Sequence, residues 1–112
     1  MLQEPDDHKN NFSRYILEQL EPLGDLKIVR FFGGKSIKYK NKQFCMIMKN
    51  RLYFRVCPDS LSEYLNYGSE PFSYLTKNGR VQVKKYYEVP ADILDDIGAL
   101  RTWAKRAIKA ML

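Results

Sequence analysis

The segment QFCMIMKNRLYFRVC, residues 43–57, consists of two apolar runs on either side of Lys49-Asn50. Asparagine tolerates positive φ, so Lys-Asn between such runs predicts a two-residue hairpin turn. With Met48 opposite Arg51, Ile47 falls opposite Leu52, Cys45 opposite Phe54 and Gln43 opposite Val56. Side chains alternate between the faces of a strand, so these residues make one strongly apolar side. Phe44, Met46, Met48, Arg51, Tyr53, Arg55 and Cys57 take the other. Cys45 and Cys57 are thereby sent to opposite faces, which predicts neither a disulfide nor a shared metal. Cys45 reads as a small core hydrophobe.

A second hairpin lies downstream, in PFSYLTKNGRVQVKKYY, residues 71–87. Asn78-Gly79 is a strong hairpin dipeptide. Pairing Lys77 with Arg80 puts Phe72, Tyr74, Thr76, Val81 and Val83 on a core face. Ser73, Leu75, Lys77, Arg80, Gln82 and Lys84 then form a basic, wet face.

Upstream, residues 26–32 read as a strand running into Gly33-Gly34. In FFGGKSIKYK, residues 31–40, Gly33-Gly34-Lys35-Ser36 matches the tail of a phosphate-binding Walker loop. The first glycine of that motif is missing, because Val29 stands in its place. The residues after Ser36 alternate like a strand, so no helix N-terminus is there to hold a phosphate. The glycine pair is expected to be a turn or bulge.

Helical patterns frame the strands. Residues 10–22 carry Phe12, Tyr15, Ile16 and Leu20 at helical spacing, with Asn10 or Asn11 as cap and Pro22 and Gly24 as stop. Residues 1–9 are expected to be flexible. Residues 58–68 read as a short helix with Leu61, Tyr64 and Leu65 inward, closed by Gly68. Residues 88–112 give one or two helices, the last with a stripe of Leu100, Trp103, Ala104, Ala107, Ile108 and Met111. The expected fold is α+β: an antiparallel sheet of about five to six strands with the N- and C-terminal helices packed on one side. At 112 residues, 45% of them hydrophobic, the chain is expected to be one domain, 1–112.

Charge is unevenly spread. The chain carries a net +6, yet from Leu26 to Pro58 there are nine basic residues and no acid. Pro71 to Tyr87 adds Lys77, Arg80, Lys84 and Lys85, again with no acid. Such segments are either solvated sheet edges or a surface for nucleic acid or an acidic partner. Lys35, Lys38, Lys40, Lys42, Lys77, Arg80 and Lys84 are the candidates for that surface. Phe44, Met46, Met48 and Tyr53 are the candidates for protein docking, since methionine-rich surface can repack around a partner. His8 is the only histidine and lies far from either cysteine in sequence. No catalytic constellation, metal site or cofactor is therefore expected. No apolar run is long enough to span a membrane, and the acidic, polar N-terminus is unlike a secretory signal, so a soluble cytoplasmic protein is expected.

Three pieces of the chain resemble the N-terminal domain of the TfoX/Sxy family, regulators of DNA transformation competence. They are FFGGKSIKYKNKQFCMIMKNRLYFRV, GSEPFSYLTKNGRVQVKKYYEVP and LDDIGALRTWAKRA, together spanning about Leu26 to Ala107. The residues that carry the likeness are Phe32, Gly33, Gly34, Gly68, Pro71, Phe72, Tyr86, Tyr87 and Pro90. Val29 departs from it, standing where members usually have arginine. The resemblance implies a non-enzymatic, cytoplasmic regulator of competence and transcription. It also implies the cyclic-AMP receptor protein as partner. Direct DNA contact through the lysines would be weak and sequence-tolerant, because lysine reads guanine edges poorly. The alternative reading is a chaperone-like or peptide-binding module without a nucleic-acid role, in which an open sheet edge accepts an extended segment.

Overall fold

The computed structural model describes residues 4–112, with side chains from residue 11 onward. Its elements are helix α1 (Glu4–Leu20), strands β1 (Leu26–Phe31), β2 (Gly34–Tyr39), β3 (Lys42–Met48) and β4 (Arg51–Arg55), helix α2 (Pro58–Asn66), strands β5 (Pro71–Thr76) and β6 (Gly79–Glu88), a short helix α3 (Ala91–Leu94) and helix α4 (Ile97–Ala110). All six strands form one antiparallel sheet in the order β1-β2-β3-β4-β6-β5. The fold is α+β, as expected.

Helix α1 begins earlier than its capping pattern suggests. It starts at Glu4, so Asn10 and Asn11 lie within it and neither caps it. Residues 4–9, expected to be flexible, are therefore helical; residues 1–3 of that expectation lie outside the described residues. The buried stripe is Ile16 and Leu20, with Phe12 and Leu17 packed against it, while Tyr15 is exposed. The helix ends at Leu20, and a 3-10 turn over Glu21–Leu23 leads to Gly24.

Strands β1 to β4 are joined by three two-residue turns. Phe32-Gly33, Lys40-Asn41 and Lys49-Asn50 all have positive φ, between 46° and 82°. Positive φ at both central residues gives the turn a twist that matches its strands. Met48 pairs with Arg51, Ile47 with Leu52 and Cys45 with Phe54, as the sequence predicts. The expected Gln43–Val56 pair does not form. The β3–β4 ladder ends at Cys45–Phe54, and the Val56 N–H donates to the Lys85 carbonyl at 2.8 Å.

On its other edge, toward β2, strand β3 carries a bulge. Ile37 pairs with Cys45 but Lys38 pairs with Gln43, so Phe44 is an extra residue on β3. A bulge breaks strict alternation. Phe44 therefore joins Cys45 on the helix side, completely buried, with its ring 6.3 Å from that of Phe54.

The core lies between this face and the helices. Ile37, Cys45, Ile47, Leu52, Phe54 and Tyr87 meet Ile16 and Leu20 of α1 and Leu100, Trp103, Ala104, Ala107 and Ile108 of α4. Burying each large side chain stabilises by roughly 1.5–3 kcal/mol. Asp96 caps α4 by accepting from the Ala99 N–H at 3.1 Å. The Arg101 Nε–H donates to the Gln19 carbonyl at 2.7 Å and ties α4 to α1. In α2, Tyr64 is buried, Leu61 is partly so, and Leu65 is exposed. The helix closes as a Schellman motif: Ser69 N–H donates to the Tyr64 carbonyl, Gly68 N–H to that of Leu65, and Gly68 has φ 77°.

The second hairpin differs from expectation in register and in surroundings. Thr76 pairs with Gly79 and Leu75 with Arg80, so Lys77-Asn78 forms the corner. Gly79, at φ 119°, follows it as the first residue of β6. From Phe72 to Thr76, each β5 residue sits opposite a β6 residue two places earlier than predicted. An even displacement leaves face membership intact, so Phe72, Tyr74, Val81 and Val83 still share a side. That side is not core. Phe72 meets Tyr53 of β4, which alternates with the core residues Leu52 and Phe54, so this side is the sheet face turned away from the helices. Tyr74 and Val81 are consequently exposed, and Phe72 and Val83 half-buried.

Candidate interaction surfaces

The sheet face turned away from the helices carries the side chains that alternate with the core. Its centre is Ser36, Met46 and Tyr53, aligned across β2, β3 and β4. Ser36 and Met46 are buried, at 0% and 2% exposure. Tyr86, on β6 beside Arg55, reaches across β4 and donates its hydroxyl proton to the Gln43 carbonyl at 2.9 Å. That carbonyl belongs to the stretch of β3 beyond the last β3–β4 pair. Ser36 Oγ donates to Gln43 Oε1 at 2.6 Å. The result is a second, smaller packed layer on the open face.

Toward β5 the same face becomes aromatic and accessible. The Tyr53 ring lies 5.3 Å from Phe72, edge to face, and Phe72 lies 6.2 Å from Tyr74. Arg55 sits over the Tyr86 ring at 5.9 Å, and Arg51 pairs with Glu88 at 3.1 Å. Burial, and then the nearby Glu88 carboxylate, raise the pKa of the Tyr53 hydroxyl. Its phenol therefore stays protonated at neutral pH as a hydrogen-bond donor.

Of the four predicted docking residues, only Met48 and Tyr53 are partly accessible. Phe44 is drawn into the core by the bulge, and Met46 is covered. The exposed apolar side chains within the sheet strands are instead Tyr74, Leu75 and Val81 on the outer hairpin, with Phe32 exposed in the first turn. Their signal in the sequence is an alternating strand that lacks a facing helix pattern.

The predicted basic residues divide into two groups. Lys38 faces the open side beside Lys27 of β1, Lys40 lies in the β2–β3 turn, and Lys42 opens β3. Asp25, Leu26, Lys27, Lys38, Lys40 and Asn41 line a shallow depression of about 260 Å³. Lys35 pairs with Ile47, on the helix side. The second group is on the outer hairpin. Lys77 is at its corner, Arg80 donates to Ser73 Oγ at 2.9 Å, and Lys84 lies where the β5–β6 register jumps. Strand β2 is three strand spacings, about 14 Å, from β6. Arg80 and Lys38 also face opposite sides. The seven residues therefore make two basic regions, not one patch.

Most residues carrying the family likeness sit where the backbone needs them. Phe32 and Gly33 form the first turn, and a Cβ on Gly34 would run into the Ile47 carbonyl. Gly68 closes α2, Pro71 opens β5, and Pro90 caps α3. Tyr86 and Tyr87 are buried on opposite faces of the sheet.

The two cysteines have different chemistry. Cys45 is fully buried, and burial pushes its thiol well above the ordinary value. Cys57 is partly accessible at the cap of α2, where hydrogen bonds from Ser60, whose hydroxyl is 3.7 Å from the sulfur, lower its pKa. The thiolate is the nucleophile, so a lowered pKa raises reactivity at neutral pH. A thiol reagent should modify Cys57 alone in the folded protein. The rate should rise with pH around a midpoint below that of a free cysteine, and Ser60→Ala should move that midpoint upward. Equal labelling of Cys45 without denaturant would contradict this.

The domain is thus α+β, with one sheet face covered by helices and the other open and aromatic toward β5. The TfoX N-terminal domain model matches residues 18–111, and the chain belongs to that competence-related family. No curated protein matches the chain. Among the described residues, no helix is long and apolar enough to cross a membrane, and no three His, Cys, Asp or Glu side chains converge as metal ligands would.

Proposed function

We propose that this domain is a non-enzymatic, cytoplasmic regulator of DNA transformation competence and transcription that acts through protein contacts. The cyclic-AMP receptor protein is the partner that the family resemblance implies. The observation that carries the reading is the open aromatic face, where Tyr53, Phe72 and Tyr74 form a row and Arg55 lies over Tyr86. Aromatic residues and arginine are the side chains that dominate protein interfaces. Direct DNA contact is secondary, because the lysines are divided between two regions.

The test is a titration of a labelled competence-promoter duplex with the domain, alone and with the cyclic-AMP-loaded receptor protein. Alone, the domain should bind weakly; neutralising about four phosphates gives a log–log salt slope of roughly −3 to −4. With the receptor present, the domain should join the complex at salt concentrations where it no longer binds DNA alone. Tyr53→Ala with Arg55→Glu should abolish that joining, while charge reversal at Lys77, Arg80 and Lys84 should weaken only the direct DNA binding. A domain that never joins the receptor complex overturns the proposal.

A further inference from the structure

The two edges of the sheet are unlike. Strand β1 carries exposed Lys27 and Arg30, and charged side chains on an edge discourage pairing with another chain. Strand β5, PFSYLT, has no charged residue. Its guards are Pro71 at its first position and the register jump beside it, which leave Phe72 to Thr76 open. Tyr74 is 47% exposed on one side and Leu75 72% exposed on the other. A two-stranded ribbon without a covering layer is marginal in water, and its free edge presents unpaired N–H and C=O groups.

We infer that two copies of this chain pair antiparallel through β5, joining their sheets into one continuous sheet about a two-fold axis. The charges at the strand ends favour a second copy as the occupant. Glu70 precedes β5 and Lys77 follows it, with only uncharged residues between. Antiparallel self-pairing brings the acidic end of each strand toward the basic end of its copy, satisfying both ends together. A two-fold interface requires this kind of self-complementarity.

The faces select the register. If both helix layers are to stay on one side, the axis must pass through a residue of β5. Placing it at Ser73 sets the smallest side chain of the strand against itself. It also sets Phe72 opposite the copy's Tyr74 on the open face, twice, and aromatic cross-strand pairs are favourable. The rows of Tyr53, Phe72 and Tyr74 in the two copies then become one band.

Sedimentation over a concentration series tests the pairing. The wild-type chain should show a reversible doubling of mass. Ser73→Lys, which sets two positive charges across the axis, should leave a monomer with an unchanged circular dichroism spectrum. Ser73→Cys in a Cys57→Ser background should give an oxidised, covalent dimer, since residues facing each other across antiparallel strands lie within disulfide reach. A wild-type monomer at every soluble concentration overturns the inference, including one that instead takes up an unrelated extended peptide. A dimer that survives Ser73→Lys and does not cross-link through position 73 overturns it as well.

Discussion

Gly34→Ala should destabilise the domain by about 3 kcal/mol, at the upper end of what overpacking costs. At the first residue of β2, a methyl group would run into the Ile47 carbonyl oxygen and stand 2.5 Å from Met48 Sδ. The sulfur can swing away, but the carbonyl cannot. It belongs to β3, whose pairing with β2 holds Lys35 opposite Ile47. Relief therefore requires the strands to separate at the end next to the first turn. Gly33→Ala provides the control. Nothing lies within 4 Å of a Cβ there, and the strain comes only from φ 82°, worth about 1–2 kcal/mol. In a domain of this size 1 kcal/mol moves Tm by roughly 4–8 °C, so thermal unfolding should separate the two variants clearly. Equal losses would mean that the close approach at Gly34 is not what demands glycine.

Trp103→Ala should cost more, about 3–5 kcal/mol. The indole is 6% exposed, on the inner face of α4. The Tyr64 ring lies 4.6 Å from it and the Tyr67 ring 5.7 Å, both contributed by α2 or its cap. Arg106 covers the indole at 5.1 Å and pairs with Glu63 of α2. Truncation thus opens a cavity and removes the main anchor of α2 together. Domains of this kind have only about 5–15 kcal/mol of total stability, so the variant should be largely unfolded in mild urea. Circular dichroism reads this without the lost fluorophore, and Trp103→Phe should recover much of the loss. A cost near 1 kcal/mol would show that α2 is held by other contacts.

Local patterns made much of the fold legible. The Lys49-Asn50 turn, the register from Cys45 to Met48 and the α4 stripe all follow from spacing over a few residues. The departures arise where one extra residue changes parity. Phe44 looked available because strict alternation sends it away from Cys45, and a single bulge reverses that. Pro71 pairs with Tyr87 while Phe72 pairs with Val83, an offset of three residues, Lys84 to Tyr86, that no local pattern announces. Which side of the sheet the outer hairpin turns to the helices is a tertiary choice, and Phe72 and Tyr74 lie with Tyr53 on the side away from them, so an expected core face is an accessible one. Lys40-Asn41 repeats the Lys-Asn of the third turn, so the same local signal marks this turn too. The candidate surface is half legible in sequence: alternation points to Tyr53 and Met48, but it sends Tyr74 and Val81 to the interior, whereas both are exposed.

Strand order bears on how the chain finds its fold. From β1 to β4, neighbours in sequence are neighbours in space, each joined by two residues. Contacts of such short range close quickly, so a four-stranded meander can assemble before the rest of the chain takes part. Strand β6 is different: it must return past α2 and β5 to dock against β4. The seating of β6 should then be the slow event in folding, with the outer hairpin contributing little to the nucleus that precedes it.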